Sequence, residues 1–401
     1  MTGKLGIVAD DLTGAMDSSG YFASLGHGTI VVLDLSYPAE AEVKVITTNS
    51  RAEAPEFARE QVTAAVSSLA GRVVYKKIDS TLRGNVGVEL AAAMAAMKSQ
   101  KAIVAPAFPA VGRTTVGGVL LVNGVPVAET QFSRDPILPV KESHIPTLLE
   151  KALGRKVGSL SVSDIEAGTE ALYEKVISLP QEVLVADVTD QSHLAGIARA
   201  AVQAKGRWLL CGSGGMAREL HVFLPKPANA KKKAEKGAAG KALVVVGSQN
   251  QVSGKQLMKA KEDCGLTILN LDAERINTDE LLAEASRLLR AGRSVAISST
   301  FTPYVPALKQ SVSSILAETA ARILKNHKVA GLFLSGGDIA LAVCRTLAVS
   351  AIEVDGEVEA GIPSGRLIGG MGEGMRVVTK AGGFGSEQAL VKALSYLEGR
   401  G

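Results

Sequence analysis

The chain has 401 residues, 46% of them apolar and only 4% aromatic, with 42 glycines, which is enough material for two domains that each bury a core. Its formal charge of +4 is concentrated in residues 225–241, where six lysines face the single Glu235 and leave the remainder near −1; without interleaved arginines or aromatics this tract reads as a solvated linker, not a nucleic-acid-binding surface. No apolar run reaches the roughly 18 residues of a membrane span, and the five histidines lack metal-ligand spacing. The three scattered cysteines (Cys211, Cys264, Cys344) form no disulfide framework, so the expectation is a cytoplasmic protein without a structural metal.

In chain order, Leu5 to Ala9 is a short apolar strand, and Asp10-Asp-Leu-Thr-Gly14 ends it with residues that cap the next helix, which runs through Met16 to about Leu25. Further strands are expected at 29–33, 43–47, 73–78, 102–105, 183–187 and 208–211, with amphipathic helices at 54–69, 86–97 and 194–204. Residues 103–117 read as a long loop rich in proline and glycine, followed by a hairpin about Asn123-Gly124. Beyond the lysine-rich tract the pattern restarts, with strands at 242–246, 266–269, 294–298, 331–334 and 377–379 and helices at 251–263, 278–291, 306–326, 339–347 and 386–397. The expected fold is α/β, with two domains each holding a mostly parallel sheet flanked by helices and the active site in the cleft between them: 1–224, a linker at 225–241, and 242–401.

Chemistry concentrates at strand ends. Asp10 and Asp11 stand at the carboxyl edge of the first strand, where open α/β sheets place ligands; one suffices for capping, and the second makes the pair candidates for a general base. Arg51 follows the third strand and reaches the same rim. The densest stretch is Tyr75-Lys-Lys-Ile-Asp-Ser-Thr-Leu-Arg-Gly-Asn85. Its Lys76, Asp79, Ser80, Thr81, Arg83, Gly84 and Asn85 offer cations for a carboxylate, and hydroxyls and an amide for a polyhydroxy chain. Arg113 is a further loop cation available to the same pocket.

Three glycine-rich turns follow three strands of the second half: Gly247-Ser248 onward, Ser335-Gly336-Gly337-Asp338, and Ala381-Gly382-Gly383-Phe384-Gly385. Together they suggest a surface of N–H donors for a polyphosphate. Gly247 to Gln256 is not a Walker A loop, because six residues separate Gly247 from Gly254-Lys255 and Gln256 replaces the magnesium-binding hydroxyl. Gly212-Ser-Gly-Gly-Met-Ala217 matches a loose dinucleotide-binding pattern, but no strand ending in an acid follows it.

Taken in order, Ala9-Asp-Asp-Leu-Thr-Gly-Ala-Met-Asp17, Asn49-Ser-Arg51, Lys77 to Asn85, Ala105 to Thr115 and Ser335-Gly-Gly337 resemble the four-carbon acid-sugar kinases, a family that includes D-threonate, D-erythronate and 3-oxo-tetronate kinases. The resemblance spans nearly the whole chain. It implies an amino-terminal domain for the acid sugar, lined by Asp10, Arg51, Ser80, Thr81, Leu82 and Arg83. The carboxy-terminal domain would bind ATP through Ser248, Ser335 to Asp338 and Gly382 to Gly385, and phosphorylation would fall at O4. The family's Ser-Gly-Asn-Phe-Gly stands here as Ala381-Gly-Gly-Phe-Gly385, and its Glu-Thr as Asp338-Ile339.

The mechanism expected on this basis has Arg51, Arg83 and Lys76 fixing the substrate carboxylate and Asp10 or Asp11 accepting the hydroxyl proton. Glycine-turn N–H groups with Mg²⁺ stabilise the transferred phosphoryl group, and domain closure excludes water. The competing readings are an NAD-dependent sugar-acid dehydrogenase using the Gly212 turn and a non-catalytic sugar-acid sensor. Expected partners are a four-carbon sugar acid and a second copy of the chain, with neither nucleic acid nor membrane.

Overall fold

A computed structural model describes residues 3–135, 137–227, 240–271, 278–302 and 309–399. The chain divides into two compact units, residues 1–18 with 40–226, and residues 19–39 with 227–401. In chain order the first part runs β1 (Leu5–Ala9), α1 (Leu12–Ser24), β2 (Thr29–Val32), β3 (Val43–Thr47), α2 (Pro55–Ser67), β4 (Val73–Lys77), α3 (Val86–Met97) and β5 (Lys101–Ala105). A small antiparallel sheet follows, made of β6 (Arg113–Val116), β7 (Val119–Val122) and β8 (Val125–Pro126). Then come α4 (Ile145–Leu153), β9 (Gly158–Leu160), α5 (Val162–Glu166), α6 (Thr169–Ser178), β10 (Val183–Ala186), α7 (Gln191–Gln203), β11 (Trp208–Gly212) and α8 (Gly214–Glu219).

The main sheet of the first unit has the order β3-β1-β4-β11-β5-β10-β9 and is parallel throughout. Its strands read as continuous apolar runs because helices cover both faces, and β1, β10 and β11 are buried along their whole length. Register fixes the rim: Ala9 lies opposite Thr47 and Lys77, and Gly212 opposite Lys77 and Ala105. The residues that follow each of these therefore emerge at one carboxyl edge. The hairpin expected about Asn123-Gly124 is present between β7 and β8, with both residues at positive φ (50° and 81°), the geometry of a type I′ turn. Within the stretch read as a loop, Arg113 to Val116 instead pairs with β7.

The second unit continues with β12 (Ala242–Val246), α9 (Gln251–Cys264), β13 (Thr267–Asn270), α10 (Thr278–Arg290), β14 (Val295–Ser298), α11 (Lys309–Asn326), β15 (Gly331–Ser335) and α12 (Gly337–Thr346). It closes with β16 (Ala351–Glu359), β17 (Ile362–Ile368), β18 (Arg376–Lys380) and α13 (Ala389–Leu397). Strands β13-β14-β12-β15-β18 are parallel, and β17, β16 and β2 extend them antiparallel. Here too one row is aligned: Ser335 lies opposite Val246 and Lys380, and Val246 opposite Ser298.

Two of the departures from the sequence expectation bear on how the chain is organised. The ribbon β16-β17 was not foreseen, because Glu353, Glu357 and the bulged Asp355 interrupt its apolar pattern. The division of the chain is also not a single cut near residue 225. Residues 19–39 belong with the second unit because β2 pairs with β16, Thr29 opposite Val354 through Val32 opposite Ala351, and the N–H groups of Leu33 and Asp34 donate to the Ser350 carbonyl. Most of the expected linker, residues 228–239, lies outside the described residues, as do 306–308 of the helix expected from Pro306. Among the described residues no helix is long and apolar enough to cross a membrane.

Candidate functional site

At the rim of the first unit, Arg51 gathers the carboxylates that flank it. Its Nε donates to Asp10 Oδ2 at 2.7 Å, and its Nη2 to Asp10 Oδ1 at 2.8 Å and Asp11 Oδ1 at 2.7 Å, while Nη1 stands 3.8 Å from Asp79 Oδ1. Burial disfavours the charged form of Asp10, but the Arg51 charge and hydrogen bonds, helped by Lys76 and Lys77, outweigh it and hold the carboxyl below its ordinary value. Asp10 is thus an ionised, weakly basic carboxylate whose remaining lone pairs are uncommitted to Arg51. Asp11 is differently employed: it accepts from the Gly14 N–H at 3.0 Å and the Thr13 hydroxyl at 2.5 Å, capping α1.

The loop after β4 forms a second cluster beside the first. Arg83 clamps Asp79 through Nε (2.8 Å) and Nη2 (3.1 Å), and its Nη1 reaches Asp135 at 3.2 Å. The Thr81 hydroxyl also donates to Asp79. Burial again opposes the charged Asp79, and Arg51 and Arg83 overcome it, so its carboxyl lies far below the usual range. The loop closes through Leu82 at φ 63°, a left-handed conformation costly for a bulky side chain. The Ser80 hydroxyl is half-buried and has no protein partner among the described residues. Arg113, on β6, feels Asp79 and Arg83, and burial lowers its pKa; its Nε is buried without a hydrogen bond among the described residues.

One expected contact is corrected. Lys76 does not face the rim: it is fully buried, and its three donors are taken by Glu89 Oε2 (2.7 Å), Lys77 O (2.8 Å) and Val8 O (3.4 Å). The Asn85 amide ties the Arg51 loop down, donating to Ser50 O and Glu53 O, both at 2.9 Å. The cation that sequence reading missed is Lys77. Successive strand residues point to opposite faces, so Lys76 meets α3 while the Lys77 ammonium lies beside Gly14 at the start of α1. Lys77 spends one donor, on Ile78 O at 3.0 Å.

Gly84 supports this arrangement, with φ 94° and a position where a Cβ would stand 2.7 Å from Arg51 O and 2.8 Å from its Cγ. Gly84→Ala is therefore expected to displace Arg51 and cost about 1–3 kcal/mol of stability, read as a fall in the urea midpoint; an unchanged midpoint would refute the close approach. The glycines of the Gly212 turn are packing residues. A Cβ at Gly214 or Gly215 would meet Phe108 at 2.9 Å or Ala107 O at 2.6 Å, and the helix they open has six residues. That turn offers no open cradle for a dinucleotide.

In the second unit the three glycine turns follow the aligned row at Val246, Ser335 and Lys380, and they are cross-linked. The N–H of Gly247 donates to Ser335 O at 3.2 Å and that of Gly336 to Lys380 O at 3.0 Å. The Ser253 hydroxyl donates to Gly382 O at 2.9 Å and lies 3.4 Å from that of Ser335, and the Gln256 amide donates to Phe384 O at 3.1 Å. A Cβ at Gly382 would overlap the Ser248 hydroxyl. Gly337 opens α12, whose first turn carries Asp338 exposed, and Gly385 has φ 84°. Among the described residues no cluster of three acidic, imidazole or thiol side chains could hold a metal by itself.

Comparison with known proteins matches the two parts separately. Residues 5–220 fit a family model described as a sugar-binding N-terminal domain, and residues 243–390 one described as a nucleotide-binding C-terminal domain. The chain is 32% identical to the D-threonate kinase of Salmonella typhimurium over 98% of both chains. It is 31% identical to the D-erythronate kinase of Heliobacterium modesticaldum, over 98% of this chain and 96% of that one. A solved structure from Bordetella bronchiseptica, described as a DUF1537 domain in a domain-swapped dimer with bound citrate, is 35% identical with 98% of each chain covered and a TM-score of 0.50. Sequence motifs, the two matched domains and full-length identity above 30% agree: the chain is a phosphotransferase and belongs to the four-carbon acid-sugar kinase family.

Proposed function

We propose that this protein is an ATP-dependent kinase that phosphorylates the terminal O4 hydroxyl of a four-carbon sugar acid such as threonate, erythronate or 3-oxo-tetronate. The observation that carries the reading is the row at Ala9, Thr47 and Lys77, which delivers Asp10, Arg51, Asp79, Ser80 and Arg83 to one edge of the unit matched as sugar-binding. Arg83, Arg113 and Lys77 receive the substrate carboxylate, with Lys77 in the role expected of Lys76. Ser80 and Thr81 meet its hydroxyls, and Arg51 fixes the base. Asp10 takes the O4 proton as O4 attacks the γ-phosphorus, and ADP leaves with the electron pair of the broken bond to its β-phosphate oxygen. A weak base suffices, because little proton transfer precedes bond cleavage in a loose phosphoryl-transfer transition state.

ATP is assigned to Gly247, Ser248, the 335–338 turn and the 382–385 turn. Mg²⁺ enters as counter-ion of the nucleotide phosphates, its usual mode of binding. A homodimer is proposed from the dimeric Bordetella relative. The test is ADP release from Mg·ATP by purified protein against D- and L-threonate, D- and L-erythronate, 3-oxo-tetronates and glycerate. Turnover with a four-carbon acid is the expected result. Stabilisation by one of these acids without ADP formation would establish the sensor reading instead, and binding of NADH in place of ATP the dehydrogenase.

A further inference from the structure

The turn after β18 is built around a buried cation. Lys380, the last residue of that strand, is 1% exposed. Its Nζ lies 2.8 Å from Gly382 O, 3.0 Å from Ala381 O and 3.4 Å from Phe384 O, with the Ser253 hydroxyl at 3.2 Å. No carboxylate is among these partners. α9 faces it with Ser253 and, through the shared Phe384 carbonyl, Gln256, while β15 presents Ser335, and none of these titrates. Burial without a compensating charge among the described residues lowers its pKa to about 8.

The geometry of the turn follows from this ammonium. A trans peptide points its N–H opposite to its C=O, and the described residues contain no cis bond. The carbonyls of Ala381, Gly382 and Phe384 turn toward Lys380, so the N–H groups of Gly382, Gly383 and Gly385 turn away from it. Those three have no acceptor among the described residues. The one peptide of the turn that Lys380 does not hold, between Gly383 and Phe384, sends its N–H back to Ala381 O at 3.1 Å. One cation thus sorts the turn into an inner layer of oxygens and an outer layer of donors, the arrangement of an anion-binding nest.

We propose that Lys380 is a positioning residue of the nucleotide site: it draws in the carbonyls of the 381–385 turn, holds three N–H groups outward for phosphate, and supplies a positive charge whose counter-ion is the bound polyphosphate. This rests on reading the second unit as the ATP site. It gives that unit a strand-borne lysine in a chain that lacks the Walker A lysine. Bound phosphate favours the charged ammonium, so near pH 8 nucleotide binding takes up a proton, and affinity falls as the pH rises through 8.

The test is calorimetric titration of Mg·ATP and Mg·ADP into the wild type, Lys380→Met and Lys380→Arg at pH 8, in two buffers of different ionisation enthalpy. The wild type is expected to show buffer-dependent heat that corresponds to proton uptake. Lys380→Met should lose about tenfold or more in affinity, the effect of one charge-assisted contact, and lose the uptake. Lys380→Arg, which does not titrate, should lose the uptake while retaining more of the affinity, and it serves as the probe if the methionine variant does not fold. Wild-type affinity in the methionine variant, or proton uptake unchanged in either variant, would overturn the proposal while leaving the kinase reading intact. Failure of the wild type to bind either nucleotide would overturn both.

Discussion

Asp10→Asn is expected to lower kcat by about 10²–10⁴-fold, the usual contribution of a positioned general base, while the dissociation constants of acid and nucleotide change little. The asparagine keeps the shape of the side chain and one acceptor for Arg51, but it cannot take the O4 proton. Arg51 remains held by Asp11 at 2.7 Å and faces Asp79 at 3.8 Å, so the rim should not collapse. Asp11→Ala is the control. The Asp11 carboxylate caps α1 through Gly14 and Thr13, and removing that cap should appear chiefly in stability, by about 0.5–2 kcal/mol. Single-turnover kinetics on the acid identified by ADP release separate the two effects. Unchanged turnover in Asp10→Asn would remove this residue from the proton transfer and leave it a partner of Arg51 only.

Glu89→Ala is expected to be the most destabilising of the substitutions considered, by about 3–5 kcal/mol. Glu89 is 1% exposed and Lys76 fully buried. Burial opposes the charged ammonium of Lys76, but Glu89 and then Asp10 more than compensate, so its pKa is raised and the ammonium stays charged at neutral pH. The same carboxylate accepts from the Ser50 hydroxyl at 2.6 Å, and Ser50 meets Thr48 at 2.7 Å. Truncation therefore strands a buried ammonium and unhooks the loop that carries Arg51. Urea unfolding followed by circular dichroism reads the loss, and a change under 1 kcal/mol would contradict a charged pair. The double variant Lys76→Met with Glu89→Leu should recover most of the stability, since what costs is the unpaired charge, not the lost pair.

The parts of the fold legible in the sequence were those in which local pattern and tertiary role coincide. The buried parallel strands are apolar runs, the rim residues follow directly after them, and Asn123-Gly124 specifies its own turn. What was not legible depended on facing. Lys76 and Lys77 are adjacent and chemically identical, and only the sheet and the helices packed on it decide which is buried against Glu89 and which lies beside α1. Glu89 reads as an ordinary acidic residue in the first turn of a helix. Lys380 sat one residue beyond the expected strand and one before the expected turn, so neither pattern claimed it. The ribbon β16-β17 was hidden by its acidic residues, several of which pair with side chains of the same unit, as Asp355 does with Tyr396 and Glu359 with Lys392.

The placement of β2 has a practical consequence. A gene fragment ending at Lys226 would carry residues 19–39 but not β16, leaving the edge of β2 that pairs with β16 uncovered, a template for aggregation. A fragment beginning at Pro227 would lack that same strand and bare the edge of β16. Neither half is a clean expression unit. A separable version of the second unit needs residues 19–39 supplied with it, as a peptide added in trans or as a segment spliced ahead of residue 240 by circular permutation.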